Sequence, residues 1–279
     1  MTVALTGATG FVGRQILAEL LQRGCSVRAI VRDPAKLAKP ADESRLEILQ
    51  TNDLFAEPAA RLEQMLVGAK VIIHAAWFAQ PGEYLNSPIN VRCLSSTLQI
   101  AEAFIHAGGE RFVGLGTCAE YDTRGNLSLN IDSPVRPQTI YAACKLSAFN
   151  VLSHLMPAAD VSFAWCRLFY LYGDGEDERR LASYIRRQLL SDKPALLSSG
   201  QQVRDYIDVR DAARMIVNTA LGNTSGAINI CSGIPVTVRE FAERIAHAQG
   251  RPDLLRFSAR PDNAFDPQHI VGIPGPFDE

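Results

Sequence analysis

The sequence lacks a long hydrophobic run, since no uninterrupted apolar segment approaches the ~18 residues that a membrane-spanning helix requires. It also lacks a basic leader. The first residues, MTVALTGATGFVG, become polar and glycine-rich after a few apolar positions, which is typical of a buried strand and not of a signal peptide. We therefore expect a cytoplasmic protein without a membrane partner.

The sequence also lacks an excess of charge of one sign. It has 28 Lys and Arg residues and 30 Asp and Glu residues, which gives a net charge of −2. No overall field would draw the protein to nucleic acid or to an anionic membrane, so a small molecule is the expected partner. The 6 cysteines show no C-x-x-C spacing and the 5 histidines lie far apart. These patterns predict reduced, mostly buried thiols and no metal site.

What the sequence does contain is an alternation of short β-branched runs and amphipathic segments. The runs VALTG, SVRAIV, LEIL, KVIIHAA, RFVGLGT and VSFAWCRL are separated by segments such as FVGRQILAELLQRG, whose apolar residues recur at helical spacing. This alternation predicts an α/β fold with a doubly wound parallel sheet of the Rossmann type. After Arg167 the alternation becomes irregular, which indicates a smaller mixed C-terminal lobe. The Pro- and Gly-rich tail FDPQHIVGIPGPFDE predicts loop.

The pattern TGATGFVG places Gly7, Gly10 and Gly13 directly after the first predicted strand and at the start of the first predicted helix. Glycines there permit a tight turn and a close backbone approach, and the helix N-terminus stabilises a pyrophosphate. The segment therefore predicts a dinucleotide site. We expect residues 1–166, with a return around residues 202–225, to form the dinucleotide-binding domain. Residues 167–279 would then form mainly the substrate-binding lobe.

The end of the second predicted strand bears on which dinucleotide is bound. A fold that prefers NAD normally carries an acid there, which accepts a hydrogen bond from the adenosine ribose. In SVRAIVRDP this position is followed by Arg32, which would pair with a 2′-phosphate and favours NADP(H), while Asp33 keeps NAD(H) open. Asp53, in TNDLF, would either reach the adenine edge or cap its loop.

Tyr141 and Lys145, in YAACKLSAF, stand four residues apart in a helix-compatible segment, so both side chains would project from one face. A nearby ammonium favours the phenolate, so we expect Lys145 to lower the pKa of Tyr141 and to make its phenol a usable acid or base. The hydroxyl of Thr117 stands at the C-terminal end of a predicted strand, where open α/β sheets bind their ligands.

Taken together, these motifs resemble those of the extended short-chain dehydrogenases/reductases, the group that contains nucleotide-sugar epimerases, dehydratases and ketoreductases. The resemblance covers residues 1 to about 235. It rests on these segments in this order: TGATGFVG, HAA, NVRCLSSTLQIAEA, GLGTCAEY, YAACK, RLFYLYGDG and QQVRDYIDVRDAA.

The resemblance implies a catalytic role for three residues and a positioning role for a fourth. Tyr141 would be the acid/base, and Lys145 would hold the nicotinamide ribose. Thr117 would bind the sugar oxygen that is oxidised or reduced, and Asn90 would help to fix the geometry of the active-site helix. Paired helices of two subunits would form a homodimer, as is usual in this superfamily.

The resemblance also implies the binding residues. The cofactor would be held by Gly7, Gly10, Phe11, Val12, Gly13, Ala75 and Lys145. Arg204 and Arg260 would grip the diphosphate of a nucleotide-linked sugar, because a guanidinium presents a planar fork of donors. For both arginines an ordinary ion pair remains the alternative.

The segment GTCAEY restricts the reaction. Dehydratases of this superfamily carry an Asp-Glu pair directly after the active-site Thr, where this sequence has Cys118 and Ala119. The epimerase-reductases that make GDP-fucose place a Cys one residue later than Cys118, so we expect Cys118 to pack and not to transfer protons. Glu120 matches no catalytic position of the family, and we expect it to be a loop carboxylate.

A Thr-Tyr-Lys set without a further acid or base can move one proton and one hydride. We therefore expect the enzyme to reduce a 4-keto-6-deoxyhexose nucleotide at C4, consistent with Arg32 and with the resemblance of WCRLFYLYGDGEDERR to 4-ketoreductases. Two alternatives remain open. One is a nucleotide-sugar C4 epimerase with tightly bound NAD, and the other is a non-catalytic NADP-sensing regulator of the same fold.

Overall fold

Three sheets and seven helices make up the computed structural model, which describes residues 1–37, 43–125, 128–263 and 266–275. In chain order the strands are β1 (Thr2–Thr6), β2 (Ser26–Val31), β3 (Leu46–Gln50), β4 (Val71–His74), β5 (Arg111–Thr117), β6 (Ser162–Leu168), β7 (Tyr170–Tyr172), β8 (Ala195–Leu196), β9 (Val203–Asp208), β10 (Gly226–Ile230), β11 (Pro235–Thr237), β12 (Leu255–Arg256) and β13 (His269–Ile270). The helices are α1 (Phe11–Gln22), α2 (Ala59–Leu66), α3 (Ile89–His106), α4 (Ile140–Ala158), α5 (Leu181–Leu190), α6 (Val209–Leu221) and α7 (Val238–Ala248).

The largest sheet has seven parallel strands in the order β3-β2-β1-β4-β5-β6-β10. One face packs against α1 and α6, and the other against α2, α3 and α4. Strands covered on both faces are apolar along their length, which is why β5 is buried at every position and why its sequence lacks alternation. The prediction of a doubly wound, Rossmann-type α/β fold is confirmed.

Helix α1 shows how the apolar spacing directs this packing. Its buried residues Gly13, Ile16, Leu17 and Leu20 recur at helical spacing and so form one stripe. The stripe belongs to the same core cluster as the buried face of α6, which approaches from the other half of the chain. The start of α1 is thereby fixed at the end of β1.

The smaller sheet surrounds β9, which pairs with β11 in antiparallel and with β7 and β13 in parallel orientation. Helices α5 and α7 cover it through their own core cluster. The tail expectation was wrong for β13, because His269 and Ile270 pair with Val203 and Arg204 of β9. A strand of two residues is too short to show periodicity, and its partner lies far away in sequence.

The chain passes between the two sheets more than once after β6. It returns from the smaller sheet to the large one through α6 and β10, and β10 pairs with β6. The division of the chain into a dinucleotide-binding domain and a substrate-binding lobe stays a prediction. No helix of the described residues is both long and apolar enough to cross a bilayer.

A buried histidine links three elements beneath the carboxyl edge of the large sheet. His74, at the end of β4, lies 2.9 Å from Thr6 Oγ1 through Nδ1 and 3.0 Å from Thr97 Oγ1 through Nε2. Thr97 donates its own proton to the Cys93 carbonyl, so Nε2 is the donor of the ring and Nδ1 accepts from Thr6. Burial, aided by the charge of Lys145, lowers the pKa of His74 to about 3.

This shift predicts a specific pH dependence of stability. Because the folded-state pKa of about 3 lies below the unfolded value of about 6.5, the unfolded chain binds the proton first as the pH falls. Stability that is complete above about pH 6.5 should then be lost at about 1.4 kcal/mol per pH unit toward pH 3. The measurement is urea unfolding at several pH values, comparing the wild type with His74→Gln.

His74→Gln should show a pH slope shallower by that amount, since the titrating group is gone. The exposed His154 provides the control, and His154→Gln should keep the wild-type slope. An unchanged slope in His74→Gln would contradict the assignment of a neutral buried imidazole.

Candidate active site

The predicted site residues of the large domain gather at the carboxyl edge of the parallel sheet. The glycine-rich turn follows β1, Ala75 follows β4 and Thr117 ends β5. The N-terminal part of α4 carries Tyr141 and Lys145, as their spacing predicts. Open α/β sheets bind their ligands at this edge.

The glycine-rich turn brings backbone atoms so close together that side chains would not fit. A Cβ atom on Gly13 would lie 2.0 Å from the carbonyl oxygen of Gly7, and one on Gly7 would lie 2.8 Å from the backbone of Ala75. Gly7 also has a φ of +74°, which an L side chain rarely adopts.

Gly10 precedes α1 without a side chain to cap the first N–H groups, so the positive end of the helix is open to an anion. This cradle, which includes Phe11 and Val12 as the first residues of α1, fits the pyrophosphate of a dinucleotide. The roles of the individual residues stay predictions.

Arg32 and Asp53 lie along the same edge but in different surroundings. Arg32 directly follows β2 and is exposed, and its guanidinium forms no ion pair with another described residue. Asp53 caps the short 3₁₀ helix Leu54–Ala56 by accepting from the N–H of Phe55 at 3.0 Å, and pairs with Arg92 at 2.8 Å. Asp53 was expected either to contact the adenine edge or to cap its loop, and the hydrogen bond with Phe55 shows that it caps the loop.

Thr117, Tyr141 and Lys145 form the reactive part of the site. The Thr117 side chain lies near enough to the Tyr141 hydroxyl to affect its pKa, and Thr117 Oγ1 accepts from the N–H of Ala119 at 3.2 Å. The buried Lys145 ammonium donates to the carbonyl of Leu115 at 2.6 Å and lies 6.0 Å from the centroid of the Tyr141 ring. Burial lowers the pKa of Lys145 to about 7, against the opposing effect of Glu120.

The expectation that Lys145 lowers the pKa of Tyr141 is not met in this structure. Burial raises the pKa of Tyr141 well above its usual value, and the neighbouring Tyr84 and Glu120 add to the increase. The Thr117 side chain acts in the opposite direction but has the smaller effect. Desolvation therefore determines the direction of the shift, and the phenol stays protonated.

Glu120 has an environment that the sequence did not lead us to expect. It is fully buried, so the expectation of a loop carboxylate was wrong. Its carboxylate accepts from the N–H of Thr117 at 2.8 Å, from Trp165 Nε1 at 3.0 Å and from Arg167 Nε at 2.8 Å. Thr117 and Glu120 together form a capping box, and the pattern T-x-x-E in the sequence was the signal for it.

Cys118 packs in the core as expected. It belongs to a buried cluster with Tyr121, Phe169, Cys231 and others, and burial raises the pKa of its thiol to about 12. A thiol that stays protonated in an apolar cluster is a poor acid or base near neutral pH.

Two aromatic residues of the segment after β4 approach Tyr141. The rings of Tyr84 and Trp77 meet the Tyr141 ring edge-on, with centroids 4.8 Å and 6.4 Å away. Asn90 is fully buried and holds this segment: it accepts from Trp77 Nε1 at 2.8 Å and donates to the carbonyl of Tyr84 at 2.6 Å. Asn90 thus fixes the segment that faces α4, and not α4 itself.

Arg204 and Arg260 occupy different environments. Arg204 is buried, forms an ion pair of 2.8 Å with Asp266 and lies over the ring of Tyr170. Arg260 is exposed and lies over the ring of Tyr184. It lines a cleft of about 530 Å³ whose walls are Glu178, Arg179, Leu181, Tyr184, Arg187, Leu196, Leu197, Ser198, Val238, Arg260 and Pro261. Arg204 does not line this cleft.

Comparison with known proteins identifies similar chains over almost the whole length. The model of the NAD dependent epimerase/dehydratase family matches residues 3–231. A dTDP-6-deoxy-L-talose 4-dehydrogenase (NAD(+)) of Aggregatibacter actinomycetemcomitans is 24% identical, over 98% of this chain and 99% of its own. A dTDP-6-deoxy-L-talose 4-dehydrogenase (NAD(P)(+)) of Kitasatospora kifunensis is 25% identical, over 93% of this chain and 83% of its own.

A solved structure supports the fold assignment. The UDP-N-acetylglucosamine 4-epimerase from Methanobrevibacter ruminantium M1, in complex with UDP-N-acetylmuramic acid, superposes with a TM-score of 0.88. It is 22% identical in sequence, and the alignment covers 98% of this chain and 89% of the epimerase.

The Glu120 network makes a testable prediction for stability. Glu120→Ala removes one partner of a buried ion pair and leaves Arg167 uncompensated, which should cost about 3–5 kcal/mol of the free energy of unfolding. The control is Glu110→Ala, which removes the exposed ion pair of Glu110 with Lys70. Pairs of that kind contribute less than about 1 kcal/mol. Urea unfolding measures both, and equal losses would contradict the assigned role of Glu120.

Proposed function

The chain belongs to the NAD dependent epimerase/dehydratase family, and we propose that it reduces a 4-keto-6-deoxyhexose nucleotide at C4, with Tyr141 as the proton donor. The observation that carries the proposal is the grouping of Thr117, Tyr141 and Lys145 beside the glycine-rich turn. Cys118 and Ala119 stand where a dehydratase would carry its acid and base, and Glu120 is engaged with Trp165 and Arg167. The site thus provides for one proton transfer and one hydride transfer.

The residues have complementary tasks in this reaction. When bound, the nicotinamide cofactor supplies the hydride that C4 accepts. Tyr141 gives its hydroxyl proton to O4, and Thr117 holds the same oxygen by a hydrogen bond, so that a carbonyl becomes an alcohol. Lys145 places a positive charge near the phenolate that forms, which stabilises it.

The pKa of Tyr141 agrees with a donor role. Burial keeps the phenol protonated, and the protonated phenol is the form that a reduction consumes. In the oxidative direction the same residue would have to start as phenolate, which burial disfavours. The resting site is therefore prepared for reduction.

The cleft beside Arg260 combines charged groups with an apolar wall. Arg179 and Arg187 pair with Asp177 and Glu178, Arg260 adds a third guanidinium, and Tyr184 with four aliphatic residues supplies an apolar wall for a base. We propose that this cleft holds part of the nucleotide. Binding of the diphosphate by Arg204 would require the carboxylate of Asp266 to move aside.

The relatives agree with the chemistry of the proposal. Two 4-dehydrogenases of dTDP-6-deoxy-L-talose cover more than four fifths of both aligned chains, and their oxidation is the reverse of the proposed reduction. The C4 epimerase remains the second candidate, because it needs the same Thr-Tyr-Lys set and because the solved structure above is a 4-epimerase. A non-catalytic regulator would not need this complete set.

Exposed apolar residues of α3 and α4 support a homodimer. Val91 of α3 and Val151 of α4 are 58% and 44% exposed, and the two helices pack side by side. We propose that these helices pair with those of a second subunit.

The proposed reaction can be tested directly. NADPH should be oxidised in the presence of a dTDP-, GDP- or CDP-4-keto-6-deoxyhexose, and Tyr141→Phe should lower kcat by a factor on the order of 10² or more. The absorbance of NADPH measures both. Tyr172→Phe, in the smaller lobe, is the control and should keep the wild-type rate. Interconversion of a UDP-hexose with its C4 epimer, without net cofactor use, would support the epimerase instead.

The preferred cofactor can be tested separately, and we propose that it is NADP(H). Arg32→Ala should weaken NADPH binding by ~10–100-fold, the usual contribution of a charge-assisted hydrogen bond, and leave NADH binding nearly unchanged. Isothermal titration measures both affinities. Arg61→Ala, on the exposed part of α2, should alter neither. Equal losses for the two cofactors in Arg32→Ala would show that Arg32 does not contact a 2′-phosphate.

A further inference from the structure

We propose that Trp77 is a positioning residue that holds the ammonium of Lys145 at the end of β5 by a cation–π contact. The Lys145 nitrogen lies 3.7 Å from the centroid of the Trp77 ring, and on another side it donates to the carbonyl of Leu115. The proposal rests on the proposed function only for the importance of Lys145 in the reaction.

The electrostatics of the site assign this task to Trp77. An ammonium has three donors, and the described residues offer Lys145 one hydrogen-bond acceptor, the carbonyl of Leu115. The nearby carboxylate of Glu120 accepts from Thr117, Trp165 and Arg167, and not from Lys145. The negative face of the Trp77 indole, 3.7 Å from the lysine nitrogen, therefore adds to the stabilisation of the buried ammonium, and the Trp165 ring lies farther away at 5.8 Å.

The position of Trp77 is itself fixed by its neighbours on both sides. The N–H of Ala76 donates to Thr6 Oγ1 at 3.2 Å, and the backbone of Phe78 lies near enough to the Cys93 thiol to oppose the increase in its pKa that burial causes. Thr6 is hydrogen-bonded to His74, and the carbonyl of Cys93 accepts from Thr97, the other partner of His74. The backbone before and after Trp77 thus lies against β1 and α3.

The indole is held at its far end as well. Trp77 Nε1 donates to Asn90 Oδ1 at 2.8 Å, and the amide nitrogen of Asn90 donates to the carbonyls of Tyr84 and Ser87 at 2.6 and 2.9 Å. These contacts fix the orientation of the amide, because a flipped amide would direct its NH₂ group at the indole N–H. The ring is consequently preorganised to receive the lysine.

The consequence for the reaction follows from the flexibility of lysine. Its four-carbon side chain has many rotamers, and a compact ammonium has no planar geometry to restrict it. Without the Trp77 ring, the Leu115 carbonyl alone would set the location of the charge relative to Tyr141. We therefore expect loss of the ring to reduce catalysis without preventing substrate binding.

The contact is tested directly by NMR of the protein labelled with ¹³C at the lysine Cε. The chain has 5 lysines, and Lys145→Met assigns the signal of Lys145. The ring current should shift this signal upfield from those of the exposed lysines in the wild type. Trp77→Phe should keep most of the shift, and Trp77→Leu should reduce it to the smaller contribution of the Tyr141 and Trp165 rings, whose centroids lie 6.0 and 5.8 Å from the lysine nitrogen.

The chain provides a matched control for this experiment. Arg239 lies 3.7 Å from the centroid of Phe257 in the smaller lobe, so Phe257→Leu removes a cation–π contact of the same length elsewhere. It should leave the Lys145 signal in place. A wild-type Lys145 signal at the position of the exposed lysines would overturn the proposal even if Trp77→Leu fails to fold. A folded Trp77→Leu whose Lys145 signal stays at its wild-type position would overturn it as well.

Kinetics supply the second readout. Trp77→Leu should lower kcat on the order of tenfold, the effect of a buried cation–π contact, with KM for the sugar nucleotide little changed. Trp77→Phe should restore most of the rate. If no 4-keto sugar nucleotide is reduced at all but the NMR shifts behave as expected, the proposed function fails and the Trp77 contact stands.

Discussion

The carboxylate of Glu120 is the interaction on which the geometry of the site depends. It joins the end of β5, through the N–H of Thr117, to two residues of β6, Trp165 and Arg167. Burying a carboxylate is costly unless it is paired and hydrogen-bonded, and here three donors surround it. Thr117 is therefore held by a network that would lose several hydrogen bonds if it moved.

The same network explains the glycines that precede Thr117. A Cβ atom on Gly114 would lie 2.3 Å from the ring of Trp165, and one on Gly116 would lie 2.2 Å from its Nε1 and 2.6 Å from the carboxylate of Glu120. The alternate positions of β5 point to one face, so both glycines make room for the same indole. The tryptophan can donate to Glu120 only because β5 has no side chain at these two positions.

Sequence reasoning could find the parts of the site that depend on local spacing. The glycine turn after β1, the helical pair Tyr141 and Lys145, and the position of Thr117 each follow from a short pattern in a defined context, and the T-x-x-E capping box was available in the same way. It could not find Trp165 or Arg167 as partners of Glu120, because those contacts join residues 45 and 47 positions apart. The effect of Lys145 on Tyr141 was misjudged because spacing gives the distance between two groups but not their desolvation.

Desolvation affects both titratable groups of the site. Burial raises the pKa of Tyr141 and lowers that of Lys145 to about 7, so both groups are displaced toward their neutral forms. The phenolate and the ammonium that the reaction needs are each costly alone, but they stabilise one another when they form together. Glu120 opposes the effect of burial on the pKa of Lys145, and the ammonium lies over the ring of Trp77. In the proposed reduction, the proton of Tyr141 would therefore leave a phenolate that the ammonium of Lys145 stabilises.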